Sequence, residues 1–170
     1  MRTSHIGRAA RGVLTAFAKN QRTNNRKTDV LIQRREELLR RHGDKGRLVV
    51  VKFFVRAAVQ RFANGDVAAA KRFYGGAFCF IHSHRLIRGR LLGASLAAAR
   101  TAYTEGDHEV VWRLLAAART FCPRTMQPSD VDELFRRWGI EFESLEPPRD
   151  LEPLQKLQSV RHLLPAAVAA

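Results

Sequence analysis

Apolar residues in this chain recur at helical spacing, and the runs they form are cut by Asn-Gly or Gly-Asp steps. Period-2 alternation is missing throughout, so no half-buried strand finds a partner and an all-α fold is predicted. Thr28 is placed to cap a helix with Asp29 in its first turn, and Gly43 to stop it. Glu36 and Glu37 precede Arg40 and Arg41 by four residues, a favourable spacing. The apolar seam of that helix (Leu31, Ile32, Leu38, Leu39) is too thin to fold it alone. From Arg47 to Ala63 a second helix gathers Val51, Phe54, Val55, Ala58 and Phe62 on one side. Asn64-Gly65 ends it, Asp66 caps a short helix running to about Tyr74, and Gly75-Gly76 interrupts that one.

Residues 90–104 again keep helical spacing, and Gly106-Asp107 repeats the stop and cap. Val110, Val111, Leu114, Leu115, Ala118 and Phe121 continue as a stripe that Pro123 closes, so the two helices should form an antiparallel hairpin. Ser129 is read as the cap of a last helix with Val131, Leu134, Phe135 and Trp138 at i, i+3, i+4, i+7 and Gly139 as its stop. Four prolines after residue 143 predict a wrapping tail with at most a short helix near 154–164. One pattern recurs. Ala58-x3-Phe62-x2-Gly65-Asp66-x2-Ala69 returns 41 residues later as Ala99-x3-Tyr103-x2-Gly106-Asp107-x2-Val110. It resembles helix-turn-helix repeats of tetratricopeptide type, although that family's period is 34 and about three copies make a stable stack.

Charge divides the chain more sharply than hydropathy does. The net charge is +14, with 22 basic and 5 acidic residues up to position 100 and 8 basic and 11 acidic after it. A basic arm on a near-neutral packed body is implied, with a polyanion as its partner. The first 28 residues carry Arg2, Arg8, Arg11, Lys19, Arg22, Arg26 and Lys27 and no acid. Three readings fit: an organelle transit peptide, an RNA-binding arm, or a solvated tail. Phe17 is the sole aromatic residue among the first 50, so base stacking is not expected there and contacts should go to phosphates. Such affinity is mostly electrostatic and falls steeply with salt.

The search for chemistry returns little. Cys79 and Cys122 lie far apart with no secretory signal, which fits a reducing compartment, and no apolar run reaches the length of a membrane span. Cys79, His82 and His84 lack the second ligand pair of a closed zinc site; Cys79 is read as a buried apolar residue, with His82 or His84 aimed at a phosphate or a carbonyl. There is no GxSxG, no GxxxxGK[ST] and no GxGxxG. Asp130, Asp132 and Glu133 stand in a first helical turn, where the helix dipole accounts for them. No enzyme, cofactor, metal or small-molecule substrate is expected.

Between Lys71 and Phe142 the chain carries KRFYG at 71–75, His84-Arg85 with Leu91 and Ala94, and Tyr103. Trp112 with Ala116-Ala117-Ala118-Arg119, and Leu134 with GIEF at 139–142, follow in order. The succession resembles the bacterial-type large-subunit ribosomal protein L-twenty family. The resemblance implies a structural ribosomal protein whose basic N-terminal part threads into ribosomal RNA, whose helical body lies beside other ribosomal proteins, and which helps early assembly. It implies phosphate contacts at Lys71, Arg85, Arg88 and Arg90, and body core at Trp112, Leu115 and Leu134. Gly75-Gly76-Ala77-Phe78 stands where the family has Gly-Arg-Arg, and TEGDHEVV at 104–111 where it has a dense basic run. Those departures suit a divergent mitochondrial ribosome, placing the protein in the mitochondrial matrix.

The expected organisation is a basic N-terminal extension (1–46), a basic helical hairpin (47–90), a small helical body (91–142) and a Pro-rich tail (143–170). The expected RNA contacts are Arg8, Arg11, Lys19, Arg22, Arg26 and Lys27 on an extended helical arm, then Lys71 with Arg72 beside it, Arg85, Arg88 and Arg90. The expected partners are ribosomal RNA and neighbouring ribosomal proteins, with no membrane. The competing reading is a helical-hairpin scaffold or accessory subunit of another mitochondrial complex.

Overall fold

The computed structural model describes residues 5–22 and 28–146, and for 19–22 and 28–33 the backbone alone. Six helices follow one another: α1 (His5–Arg22), α2 (Thr28–Ala63), α3 (Val67–Phe78), α4 (His84–Glu105), α5 (His108–Phe121) and α6 (Pro128–Arg137), then a 3-10 turn at Phe142–Ser144. No strand occurs among the described residues, so the fold is all-α.

The two Gly-Asp turns are alike in detail. Gly65 and Gly106 take φ of 75° and 78°, left-handed values that a side chain would strain. Asp66 donates its N–H to the Arg61 carbonyl (2.9 Å) and Asp107 to that of Ala102 (2.8 Å), the six-to-one bond of a Schellman stop. Each aspartate then accepts from the backbone N–H three residues on, Ala69 at 3.0 Å and Val110 at 3.2 Å. The echo in the sequence is thus an echo in structure: α2–α3 and α4–α5 are two hairpins with one turn chemistry. Arg113 ties them together by donating to the Ala63 carbonyl at the end of α2 (3.1 Å).

Helix α2 touches α1, α3, α4 and α5 and is the axle of the core. Its direction breaks at Gly43 (φ 51°, ψ −138°), yet the helix resumes at once. Gly43 was expected to stop the helix; instead it kinks it, because no loop follows. Gly46 closes the bend: a Cβ there would come within 2.9 Å of both Leu38 Cδ2 and His42 Cβ. Phe54, fully buried, is met by Phe17 of α1 (centroids 4.8 Å apart), Phe73 of α3 (6.3 Å) and Phe80 (5.6 Å).

The basic N-terminal segment is therefore not an extended arm. Helix α1 lies along α2, buries Ala10 and Val13, and sets Phe17 among the rings of Phe54 and Phe73. Fully burying a side chain such as that of Val13 stabilises by about 1.5–3 kcal/mol, which adds to what the thin seam of α2 supplies. Gly75-Gly76 does not interrupt α3, which runs on to Phe78. Gly76 packs directly beneath the rings, since a Cβ there would lie 2.5 Å from Phe54 and 2.8 Å from Phe17.

Other boundaries shift for local reasons. Helix α4 starts at His84, capped by Ser83, whose hydroxyl accepts from Leu86 N–H (3.3 Å), so it runs across the division expected between residues 90 and 91. Helix α6 begins at Pro128 after Gln127, not after Ser129, because Asp130 reaches back to the Gln127 N–H (2.6 Å). Gly139 (φ 74°) ends its last turn and lets Ile140 bury completely, while Trp138, expected on the apolar stripe, is 40% exposed. Leu115 is fully buried, and Leu134 and Trp112 are partly so, Trp112 with its ring edge-on to Phe142. The end of the expected tail, residues 147–170 with the helix near 154–164, lies outside the described residues.

Candidate nucleic-acid interface

Pairing α1 with the first half of α2 opens a cleft of about 610 Å³ between them. Helix α1 lines it with His5, Arg8 and Gly12, one helical face at i, i+3 and i+7. Helix α2 lines it with Arg34, Glu37, Arg41 and His42 above a floor that includes the buried Leu38. Arg34 donates to the Gly12 carbonyl (3.0 Å), and a Cβ at Gly12 would stand 3.2 Å from that guanidinium nitrogen. Glycine thus admits the arginine that holds the two helices together. Arg41 pairs with Glu37 at 2.7 Å. Three guanidiniums and two imidazoles share the cleft with one carboxylate. Like charges gathered this way repel, and an anion seated among them relieves the repulsion.

The expected contact residues fall into separate places. Arg8 lines the cleft and is exposed; Arg11, also exposed, stands one turn along with its guanidinium 5.9 Å from the Phe53 ring. Lys19 and Arg22 belong to α1, but their side chains, like Arg26 and Lys27 entirely, lie outside what is described. On α3, Lys71 is half-buried and Arg72 exposed. Arg85 is exposed at the start of α4, in a shallow hollow of about 520 Å³ with Ser83, Leu86, Gly89 and Arg90. Arg88 donates to the Cys122 carbonyl (2.9 Å), tying α4 to the end of α5. Burial pushes the Tyr74 phenol above its ordinary range, and the Arg88 charge beside it opposes that. Arg90 lines the same hollow as Arg85 and also the groove between α2 and α4.

His5, Arg34, Arg41 and His42 are not among the residues that charge and motif single out in the sequence. The signal was there, since Arg34, Leu38 and Arg41 share a face at i, i+4 and i+7, but it has meaning only once α1 covers Leu38. Cys79, read as buried, is exposed, and Cys122 is the buried one. His84 lies against Phe78, with centroids 4.5 Å apart and the rings tilted by 45°. No three His, Cys, Asp or Glu residues come together as a metal site among the described residues. No helix there is long and apolar enough to cross a membrane.

No family model, no curated protein and no solved structure matches the chain.

Proposed function

We propose that this protein is a structural constituent of the mitochondrial large ribosomal subunit that holds ribosomal RNA by its phosphates and supports subunit assembly. The observation that carries the reading is the cationic cleft between α1 and α2, set in a front half whose exposed cations mostly lack acidic partners among the described residues. Phosphate is the anion that suits it. Guanidiniums at several angles take the bidentate contacts a folded RNA backbone offers, and the aromatic residues nearby are committed to the core. The order of motifs from KRFYG to GIEF, similar to the L-twenty family, supports the ribosomal assignment, and its departures support a mitochondrial one.

Sucrose-gradient sedimentation of mitochondrial extracts tests it. Co-migration with the large subunit at moderate salt and release at high salt are expected. Arg8→Ala combined with Arg11→Ala should shift the protein towards the top of the gradient, with helicity unchanged. Wild-type co-migration of that variant, or sedimentation independent of salt, counts against RNA contact through the cleft.

One observation favours a second reading. The two hairpins share a turn chemistry down to the cap, as repeated scaffold units do. A helical-hairpin accessory subunit of another mitochondrial complex would then co-migrate with that complex and not with the ribosome.

A further inference from the structure

The second half of α2 and the length of α4 wall a groove of about 840 Å³ that shares no residue with the basic cleft. The two helices run the same way along it, since Arg113, in the helix that follows α4, bonds the last carbonyl of α2. Its ends therefore differ in sign. Lys52, Arg56 and Arg90 stand at one end, Glu105 and Asp107 at the other. Arg90 makes no ion pair, and its Nε is buried without a hydrogen-bond partner among the described residues. Between the ends α4 presents Gly93, Ala94, Ala97, Ala98 and Thr101. Thr101 and its neighbour Thr104 turn their hydroxyls back to the Ala97 and Thr101 carbonyls (3.2 and 2.8 Å), leaving a face of low polarity.

We propose that this groove is a self-association surface: two copies of the chain pair through it, α4 antiparallel to α4, about a two-fold axis between Ala97 and Ala98. The register follows from the residues. Centred there, Ala97 of one copy faces Ala98 of the other, Ala94 faces Thr101, and Arg90 faces Glu105. Small residues meet small residues throughout the middle, which lets two helix axes approach more closely than the usual 8–10 Å. A two-fold turns the groove end for end, so the three cations of each copy meet the carboxylates of the other, and the contact is made twice. The opposite signs at the two ends select a second copy over RNA, whose phosphates would meet Glu105 and Asp107. The basic cleft stays open in the pair.

Sedimentation equilibrium of the full chain between about 1 and 100 μM measures this directly, a range in which a dimer of micromolar affinity dissociates measurably. A monomer–dimer equilibrium is expected. Arg90→Glu alone and Glu105→Arg alone each set like charges against one another and should weaken dimerisation about tenfold or more, while the double exchange restores it. Ala97→Arg, at an exposed position, should dissociate the pair with circular dichroism unchanged, so a folding defect in either charge variant does not obscure the outcome. A monomer across the whole range overturns the proposal, whether or not another protein's helix binds the groove. So does a dimer indifferent to Ala97→Arg, or one that the single exchanges weaken and the double exchange does not restore.

Discussion

The front and rear of the molecule use arginine for opposite purposes. In the rear, Arg113 pairs with Glu109, Arg119 with Asp132 (2.7 Å), Arg136 with Glu143 (2.6 Å) and Arg137 with Glu133 (3.0 Å). Arg119–Asp132 joins α5 to α6 and Arg136–Glu143 joins α6 to the 3-10 turn, while the other two pairs lie within their own helices. In the front, Arg8, Arg11, Arg40, Lys45, Lys52, Arg56, Arg72 and Arg85 are exposed and have no carboxylate partner among the described residues. A cation without an internal partner contributes repulsion to the folded state. The unequal treatment of one residue type leaves the front half with the exposed, unpaired charge among the described residues, which the net charge alone does not show.

The sharpest way to break that contrast is to ask whether the front is a domain part or an appendage. Phe54→Ala removes a fully buried ring shared by α1, α2 and α3, and should cost about 3–5 kcal/mol of global stability in urea unfolding. Phe17→Ala removes the α1 side of the same contact. It should cost less and expose α1 to protease before the body unfolds. Equal and small effects from both would mean that α1 does not belong to the core.

The rear can be tested by its best-shielded ion pair. Arg119 and Asp132 have side chains only 24% and 20% exposed, and the Arg119 guanidinium also lies 5.7 Å from the Phe142 ring. Arg119→Ala leaves Asp132 without its partner, and after allowance for the remaining solvent should cost about 1–2 kcal/mol. RNA binding, measured by fluorescence anisotropy, should not change. Loss of RNA affinity with stability intact would erase the distinction between inward and outward arginines.

What could be read in the sequence is what is decided locally. Gly65-Asp66 and Gly106-Asp107 are complete instructions within a few residues, a left-handed stop followed by an accepting side chain, and both turns lie where they were expected. The partner of Phe17, by contrast, is 37 residues away, and its ring fits only because Gly76 has no side chain. Nothing near Phe17 announces that, so the apolar side of α1 had the pattern of a transit peptide and Gly75-Gly76 that of a helix break. The cleft suffered likewise. Arg8 was singled out for its charge, but Arg34 and Arg41 acquire a common purpose only through the packing of α1 on Leu38. The bond from Arg88 to the Cys122 carbonyl is likewise invisible in the sequence, because the end of α5 arrives beside it from 34 residues on.

The smallest effect expected concerns how the rear keeps its neutrality as acid is added. The Glu143 carboxyl is held below its ordinary 4.5, first by a hydrogen bond from its own backbone N–H and then by Arg136. A carboxylate with a depressed folded pKa contributes stability that is fully present above the unfolded value and is lost as pH falls through the folded one. Glu143→Gln keeps the shape and removes the titration, so the decline of thermal stability below pH 4.5 should become slightly shallower and the curve at neutral pH should move little. Both side chains are about half exposed, 48% for Arg136 and 51% for Glu143, so water already screens the pair. An acid limb unchanged by the substitution would assign the fastening of the 3-10 turn to Phe142, buried against Trp112 and Phe135, and the arginine pairs of the rear would then differ among themselves in what they hold.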